Sequence, residues 1–328
     1  MPNTEPEMAG QTPAVKDIHV AVAVIVRDGR VLIARRPDHV HQGGLLEFPG
    51  GKVESGETVQ QALVREIAEE TGLAVPTNGL QPVIGIRHDY GDKRVFLDVW
   101  QTDMARGEPE GREGQPIEWL RPDQLRDDDF PEANRPIIRA LRLPHRLAIS
   151  GRISDPETGL GKLKTALART SPPLMILRAP ELNEEGYRVF AQRAAELCRK
   201  AGTGLLVHGA PEHWQAVPGI AGLHLPWREA QRLSERPVPA GAWLGVSCHD
   251  AEQLRHAERL GADYALLGAV KATASHPGRP AIGWSAFAEL VGGATVPVFA
   301  LGGLEPADEL QARTLGGQGI AGIRYWWG

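Results

Sequence analysis

The chain of 328 residues is poor in several features that define whole classes of protein. Its two cysteines, Cys198 and Cys248, are too few for a disulfide-built scaffold, and reduced cytosolic thiols are their expected state. It has no long apolar run. Stretches such as His19–Val26 fall far below the roughly 20 residues that a membrane-spanning helix needs, so no membrane partner is expected. Its 38 glycines follow no three-residue period, which excludes a collagen-like fibre, and there is no low-complexity tract. It lacks an excess of positive charge: 36 Lys and Arg face 41 Asp and Glu, a net −5, and no nucleic-acid footprint is visible. Residues 1–17 have no apolar core and read as a disordered tail, neither a signal nor a transit peptide, so a cytoplasmic protein is expected. What is present is ordinary for a globular chain, 42% hydrophobic and 23% charged, long enough for two domains or one large barrel.

Charge and rhythm both divide the chain near residue 144. Residues 18–141 carry 15 Lys and Arg against 21 Asp and Glu, net −6, whereas residues 144–328 carry 19 against 17, net +2. In the first part a strand-like run meets the turn pair Asp28-Gly29 and a second strand, a hairpin pattern. A helix over Thr58–Thr71 presents Ala62, Leu63, Ile67 and Leu73 as an apolar stripe and stops at Gly72. Strands over Val83–Arg87, Arg94–Thr102 and Ile117–Leu120 and a helix over Pro136–Leu143 complete an α+β unit with a mixed sheet, residues 18–143. From residue 144 to 328, eight short apolar strands alternate with helical stretches, which predicts an α/β (β/α)8 barrel, with an open doubly wound sheet as the competing arrangement. The sequence runs only four residues past the last of these strands, short of a full eighth helix, and ends Tyr325-Trp326-Trp327-Gly328. These aromatics are expected to pack on the first unit or on a second subunit of a homodimer.

The segment with the most chemistry is Gly50 to Leu73. Glu66, Glu69 and Glu70 stand at i, i+3 and i+4, so one helix face carries three carboxylates. Such repulsion is relieved by a divalent cation, and hard oxygen donors suit Mg2+ or Mn2+, which also bridge phosphate oxygens. Glu57 lies near the helix start, where it suits the dipole and can hold Arg65. Gly50-Gly51 lets the backbone approach a metal or phosphate closely. A solvated acidic helix face is the alternative for the three glutamates taken alone.

The full spacing, G-x5-E-x7-R-E-U-x-E-E-x-G-U with U apolar, is met from Gly51 to Leu73, and it resembles the Nudix hydrolases. That resemblance implies attack of water on a phosphorus of a nucleoside diphosphate linked to a further group. Glu66, Glu69 and Glu70 would be metal ligands, the Gly50 carbonyl a further one, and Arg65 part of the catalytic set. It extends over residues 18–142 to the MutT-like 8-oxo-dGTP diphosphatases within that family. It is carried by Ile33-Ala-Arg35-Arg36-Pro37, Leu46-Glu47-Phe48-Pro49-Gly50-Gly51, Glu113-Gly114-Gln115-Pro116 and Asp129-Phe130-Pro131-Glu132-Ala133-Asn134. It implies Glu113 as a metal ligand or general base, Asn134 as reader of the oxidised purine, and Arg36 and Phe48 lining the base pocket. An amide offers both a donor and an acceptor, which suits the altered edge of 8-oxoguanine.

The second part carries Ser247-Cys248-His249-Asp250, Gly261-Ala262-Asp263, Gly268-Ala269-Val270-Lys271 and Leu301-Gly302-Gly303-Leu304. It is similar to the thiamine-phosphate synthase and thiazole tautomerase family, small (β/α)8 barrels that hold thiazole phosphate or pyrimidine diphosphate. Gly302 and Gly303 would cradle a phosphate, and His249 would be the proton-transfer residue, with His208 and His224 as spare candidates. The chain departs from the synthases at three places. Arg178-Ala179-Pro180 lacks a lysine, His208-Gly209-Ala210 lacks a metal carboxylate, and Pro226-Trp227-Arg228-Glu229 replaces a Gly-Gln-x-Asp segment. A binding or scaffolding barrel follows, with a thiamine-related phosphate as its ligand. The leading expectation is a Mg2+-dependent diphosphatase for 8-oxo-dGTP, a nucleoside triphosphate. Its rivals are a hydrolase of thiamine-related diphosphates and a bifunctional protein with a working isomerase barrel.

Overall fold

A computed structural model of the chain describes residues 16–39, 42–89, 91, 93–273 and 280–327. Most of the expected tail, residues 1–15, and Gly328 lie outside the described residues.

The first unit runs β1 (Lys16–Arg27), β2 (Arg30–Arg35), β3 (Leu46–Glu47), β4 (Gly50–Lys52), α1 (Val59–Thr71), β5 (Gln81–Asp89), β6 (Lys93–Thr102), β7 (Ile117–Leu120) and α2 (Arg135–Arg142). Among the described residues these seven strands make a mixed sheet. β1 is its spine, parallel to β6 and antiparallel to β2 and β4. The hairpin forms at Asp28-Gly29, with φ of 50° and 70°, the mirror-image turn whose twist matches that of the strands. β3 and β4 are short pairings between loop and sheet, with no alternating pattern to foretell them. Both sheet faces are covered. Val22, Val24, Ile33, Phe48 and Phe130 pack with α2 residues Ile137 and Ile138, and Ala21, Ala23, Ile25 and Leu32 pack with Leu63 and Ile67 of α1.

The second unit runs β8 (Arg146–Ile149), α3 (Pro156–Arg169), β9 (Leu174–Leu177), α4 (Glu184–Ala201), β10 (Gly204–His208), α5 (Pro211–Gln215), β11 (Gly222–Leu225) and α6 (Trp227–Ala230), then β12 (Trp243–Cys248), α7 (Ala251–Arg259), β13 (Tyr264–Gly268), α8 (Gly283–Gly292), β14 (Val298–Leu301), α9 (Glu309–Thr314), β15 (Gly319–Gly322) and α10 (Arg324–Trp327). Its eight parallel strands close on themselves, β15 pairing β8, which excludes the open sheet. The lumen is filled by Leu147, Ile149, Ile176, Leu206, Tyr264, Leu266 and Phe299, so it is a packed core and not a pore. Both cysteines are buried free thiols. No helix among the described residues is long and apolar enough to cross a membrane.

The expected packing of the final aromatics is corrected. Trp326 is fully buried against the barrel's own helix layer, not against the first unit. The chain turns after β15 into the single turn α10, which lies against α3, and the Trp326 indole N–H donates to the Ile149 carbonyl at 2.9 Å. Apolar cover and a satisfied N–H are both available within the barrel, so neither the first unit nor a second subunit is needed.

Candidate active site

Helix α1 places the acidic residues. Thr58 and Gln61 form a capping box at its start, and Gly72 ends it in the left-handed conformation, φ 72°. With Ala62, Leu63 and Ile67 committed to the core, Glu66, Glu69 and Glu70 must face outward over β4. Arg65 organises them. Its guanidinium donates twice to Glu57 at 2.9 Å, to Glu66 Oε1 at 2.7 Å, to Glu69 Oε2 at 3.3 Å and to the Lys52 carbonyl at 3.2 Å. Hydrogen bonds from Arg65 and from the Glu54 amide hold the Glu57 carboxyl below its ordinary range, and those to Glu57 and Glu66 lift Arg65 above its own. Glu57 therefore acts as the clamp that the sequence suggested.

A Cβ at Gly51 would stand 2.2 Å from the Glu66 carboxyl carbon, so any side chain there would displace that carboxylate. Gly50, with φ 150°, leaves no room either, since its Cβ would meet the Ala21 carbonyl at 2.1 Å. The Gly50 amide donates to Glu70 Oε2 at 3.0 Å, which brings this backbone against the carboxylate.

Glu70 is the electrostatic centre. Burial pushes its carboxyl up to about 8 against the opposing Gly50 hydrogen bond, and the charges of Glu47, Glu66 and Glu113 push in the same direction. Glu113 reaches this group from a separate loop. The Arg112 amide and the Gln115 side chain both donate to the Glu70 carbonyl, at 2.9 and 3.1 Å, which pins the loop to the end of α1. Glu47 was not expected here. It pairs with Arg36, and burial, reinforced by Glu113, raises its carboxyl. Its signal was its position, three residues before Gly50 in a segment of glycines and proline that gives a lone carboxylate no solvated helix face.

Among the described residues, no three His, Cys, Asp or Glu side chains are drawn up as a finished cation cage. The donor set nonetheless fits a hard divalent cation. It consists of carboxylate oxygens and a glycine backbone around one carboxyl whose ionisation is suppressed by its neighbours, the deficit that a bound cation removes.

Of the residues expected to recognise the base, Arg36 pairs with Glu47 beside the acidic cluster, whereas Phe48 packs on the α2 side of the sheet. Phe48 is 5% exposed and stacks on Phe130 with centroids 5.5 Å apart, so its ring is part of the core. Asn134 is half-buried just before α2, and its side chain makes no cap hydrogen bond to the helix.

The barrel residues are dispersed. His249 is exposed at the start of α7 and bonded to Gln253 at 3.0 Å. Gly302 and Gly303 have φ of 99° and 67° and press against Ala269 and Lys271, followed by a 3-10 turn at Pro306–Asp308. His224 lies inside the barrel, between Tyr264 Oη at 3.0 Å and Ser247 Oγ at 2.8 Å, with His208 stacked 5.9 Å away. Burial drives His224 well below its ordinary range, and burial with nearby Arg178 and Arg228 takes His208 to about 3.

An acidic helix lies opposite a glycine-rich strand on a mixed sheet flanked by two helices, and the second unit is a closed barrel of eight parallel strands. Residues 21–140 match the NUDIX domain model, and residues 147–325 match that of thiamine monophosphate synthase. The 8-oxo-dGTP diphosphatase of Escherichia coli is 40% identical over 129 residues, 39% of this chain and 98% of that protein. The CTP pyrophosphohydrolase of the same organism is 34% identical over 127 residues, 39% of this chain and 93% of that protein. A putative thiamine-phosphate synthase 2 of Aquifex aeolicus is 29% identical over 183 residues, 56% of this chain and 97% of that protein. The chain belongs to the Nudix family through its first unit, where it is a Nudix hydrolase, and to the thiamine monophosphate synthase family through its second.

Proposed function

We propose that the first unit hydrolyses 8-oxo-dGTP to 8-oxo-dGMP and diphosphate, in the cytoplasm and with Mg2+. Water adds to phosphorus, the bridge between the α and β phosphates breaks, and the water's proton leaves to a carboxylate. Glu66, Glu69, Glu70, Glu113 and the Gly50 carbonyl would hold the metal, whose chemistry is to neutralise phosphate charge and acidify water. Glu69, 59% exposed and tethered by Arg65, is the acceptor of the proton at its free oxygen. Arg65 and Glu57 hold that carboxylate in place. The barrel serves as a ligand-binding scaffold for a thiamine-related phosphate.

The observation that carries the substrate is the half-buried amide of Asn134, which is not spent on capping α2 and lies four residues after Phe130 of the Phe48–Phe130 stack. Kinship with the E. coli 8-oxo-dGTP diphosphatase along nearly its whole length supports the same reading. The likeness to a CTP pyrophosphohydrolase favours a second reading, a pyrimidine triphosphate. A turnover screen with 8-oxo-dGTP, dGTP, CTP and thiamine diphosphate distinguishes them. Under this proposal Asn134→Ala erases the preference for 8-oxo-dGTP over dGTP, a loss of about tenfold or more in the kcat/KM ratio. Unchanged selectivity would assign the base reading elsewhere.

A further inference from the structure

The two units meet at α2, and the contact there is ionic and half-buried. Arg139 donates Nη1 and Nη2 to the two carboxylate oxygens of Asp127 at 2.7 and 2.5 Å, and Nε to Asp263 Oδ1 at 2.8 Å. Asp263 belongs to the barrel, just before β13, and is only 6% exposed. Its other oxygen accepts from Arg236 Nη2 at 2.7 Å and from the Leu244 amide at 2.8 Å. A second clamp holds the far end of α2, where the Gln318 side chain donates to the Ala140 and Leu143 carbonyls at 2.9 and 3.2 Å.

We infer that Arg139 is a positioning residue that fixes the wall of the nucleotide pocket to the barrel, so that substrate affinity in one unit depends on Asp263 in the other. Within the barrel Asp263 is already held through Oδ2 by Arg236 and Leu244, which leaves Oδ1 for Arg139. Asp127 opens the turn that leads to Phe130, which stacks on Phe48, and Arg139 lies on the helix that follows Asn134 directly. A planar fork bound to three carboxylate oxygens on two elements fixes both orientation and distance, and a lysine would not. Slackening it would move Phe130 and Asn134 while leaving the Glu66–Glu70 face untouched. This inference rests on the reading that places the base beside Asn134.

The test uses the full-length chain. KM and kcat for 8-oxo-dGTP, and amide hydrogen exchange over residues 126–138, are measured in Arg139→Met, Asp263→Asn and Arg236→Met. Arg139→Met and Asp263→Asn are expected to raise KM about tenfold with kcat within about two-fold of the parent, and to speed exchange over that segment. Arg236→Met, which strips Asp263 of its partner inside the barrel, lowers Tm but leaves KM and exchange as they were. Unchanged KM and exchange in Arg139→Met, or an equal KM rise in Arg236→Met, would overturn the inference. If Arg139→Met does not fold, Arg139→Lys, which keeps the charge and loses the fork, is read by the same criteria. If the parent does not turn over 8-oxo-dGTP, the substrate reading fails, and the exchange comparison still decides the role of Arg139.

Discussion

His224 offers a titration that can be isolated from every other group in the chain. It is 1% exposed, and its ring stacks between His208 and Tyr264. A neutral imidazole needs one donor and one acceptor partner, and the hydroxyls of Tyr264 and Ser247 supply both roles without charge. The groups facing it are cationic or neutral: His208 on β10, and beyond it Arg178, Arg228 and His213. Folding therefore depresses its pKa, and the unfolded chain binds the proton that the folded chain refuses. Stability from this group is complete above the unfolded value of about 6.5 and falls as pH drops below it. Between pH 7.5 and 5.0 the unfolded state gains about 2 kcal/mol from protonating this one histidine. His224→Asn keeps a donor and an acceptor but cannot titrate. Urea unfolding followed by tryptophan fluorescence reports chiefly on the barrel, which holds Trp214, Trp227, Trp243, Trp284, Trp326 and Trp327. The parent should lose about 2 kcal/mol relative to His224→Asn on going from pH 7.5 to 5.0, whatever their difference at neutral pH. Every other titrating group, Glu70 included, cancels in that comparison. A difference that stays constant with pH would refute the depressed ionisation and the apolar account of the barrel interior with it.

Three further substitutions test the site and the core. Glu69→Gln should cost on the order of 10² to 10⁴ in kcat with an unchanged Tm, as checked by single-turnover assay and calorimetry. Gly51→Ala should abolish most activity while the sheet persists by circular dichroism, because its methyl group would occupy the place of the Glu66 carboxyl. Trp326→Ala removes a fully buried indole and the bond to the Ile149 carbonyl, and should destabilise the barrel by about 3–5 kcal/mol in urea titration.

The residues that sequence reasoning could read were those whose period or spacing is local. The i, i+3, i+4 spacing of the carboxylates, the stop of α1 at Gly72 and the eight apolar strands follow from three or four neighbours along the chain, and the helix and strands appear where they were expected. What escaped depends on distant contacts. β3 and β4 are held by β2 and β1, not by their own pattern. Glu47 becomes part of the acidic cluster through Glu70 on α1 and Glu113 on the Gly111–Gln115 loop, both far along the chain. The aromatic end points to cover by the first unit or a second subunit because nothing within a few residues covers it. Its cover is α3, more than 150 residues earlier. Phe48 was legible as a hydrophobe but not as one side of a stack with Phe130.

The junction has a consequence for how such a protein is handled and inherited. Leu143 is buried, its amide bonds back to Arg139, and the carbonyl of His145 accepts the amide of Ile320 in the last barrel strand. The crossing between the units is thus sewn into the seam that closes the barrel, and a protease seeking an extended loop would find no slack there to thread. Recombination faces the same obstacle. A cut at this point takes Arg139 from Asp263 and both carbonyl acceptors from the Gln318 side chain, so gene fragments that separate the units would pass on two damaged surfaces in place of two independent modules.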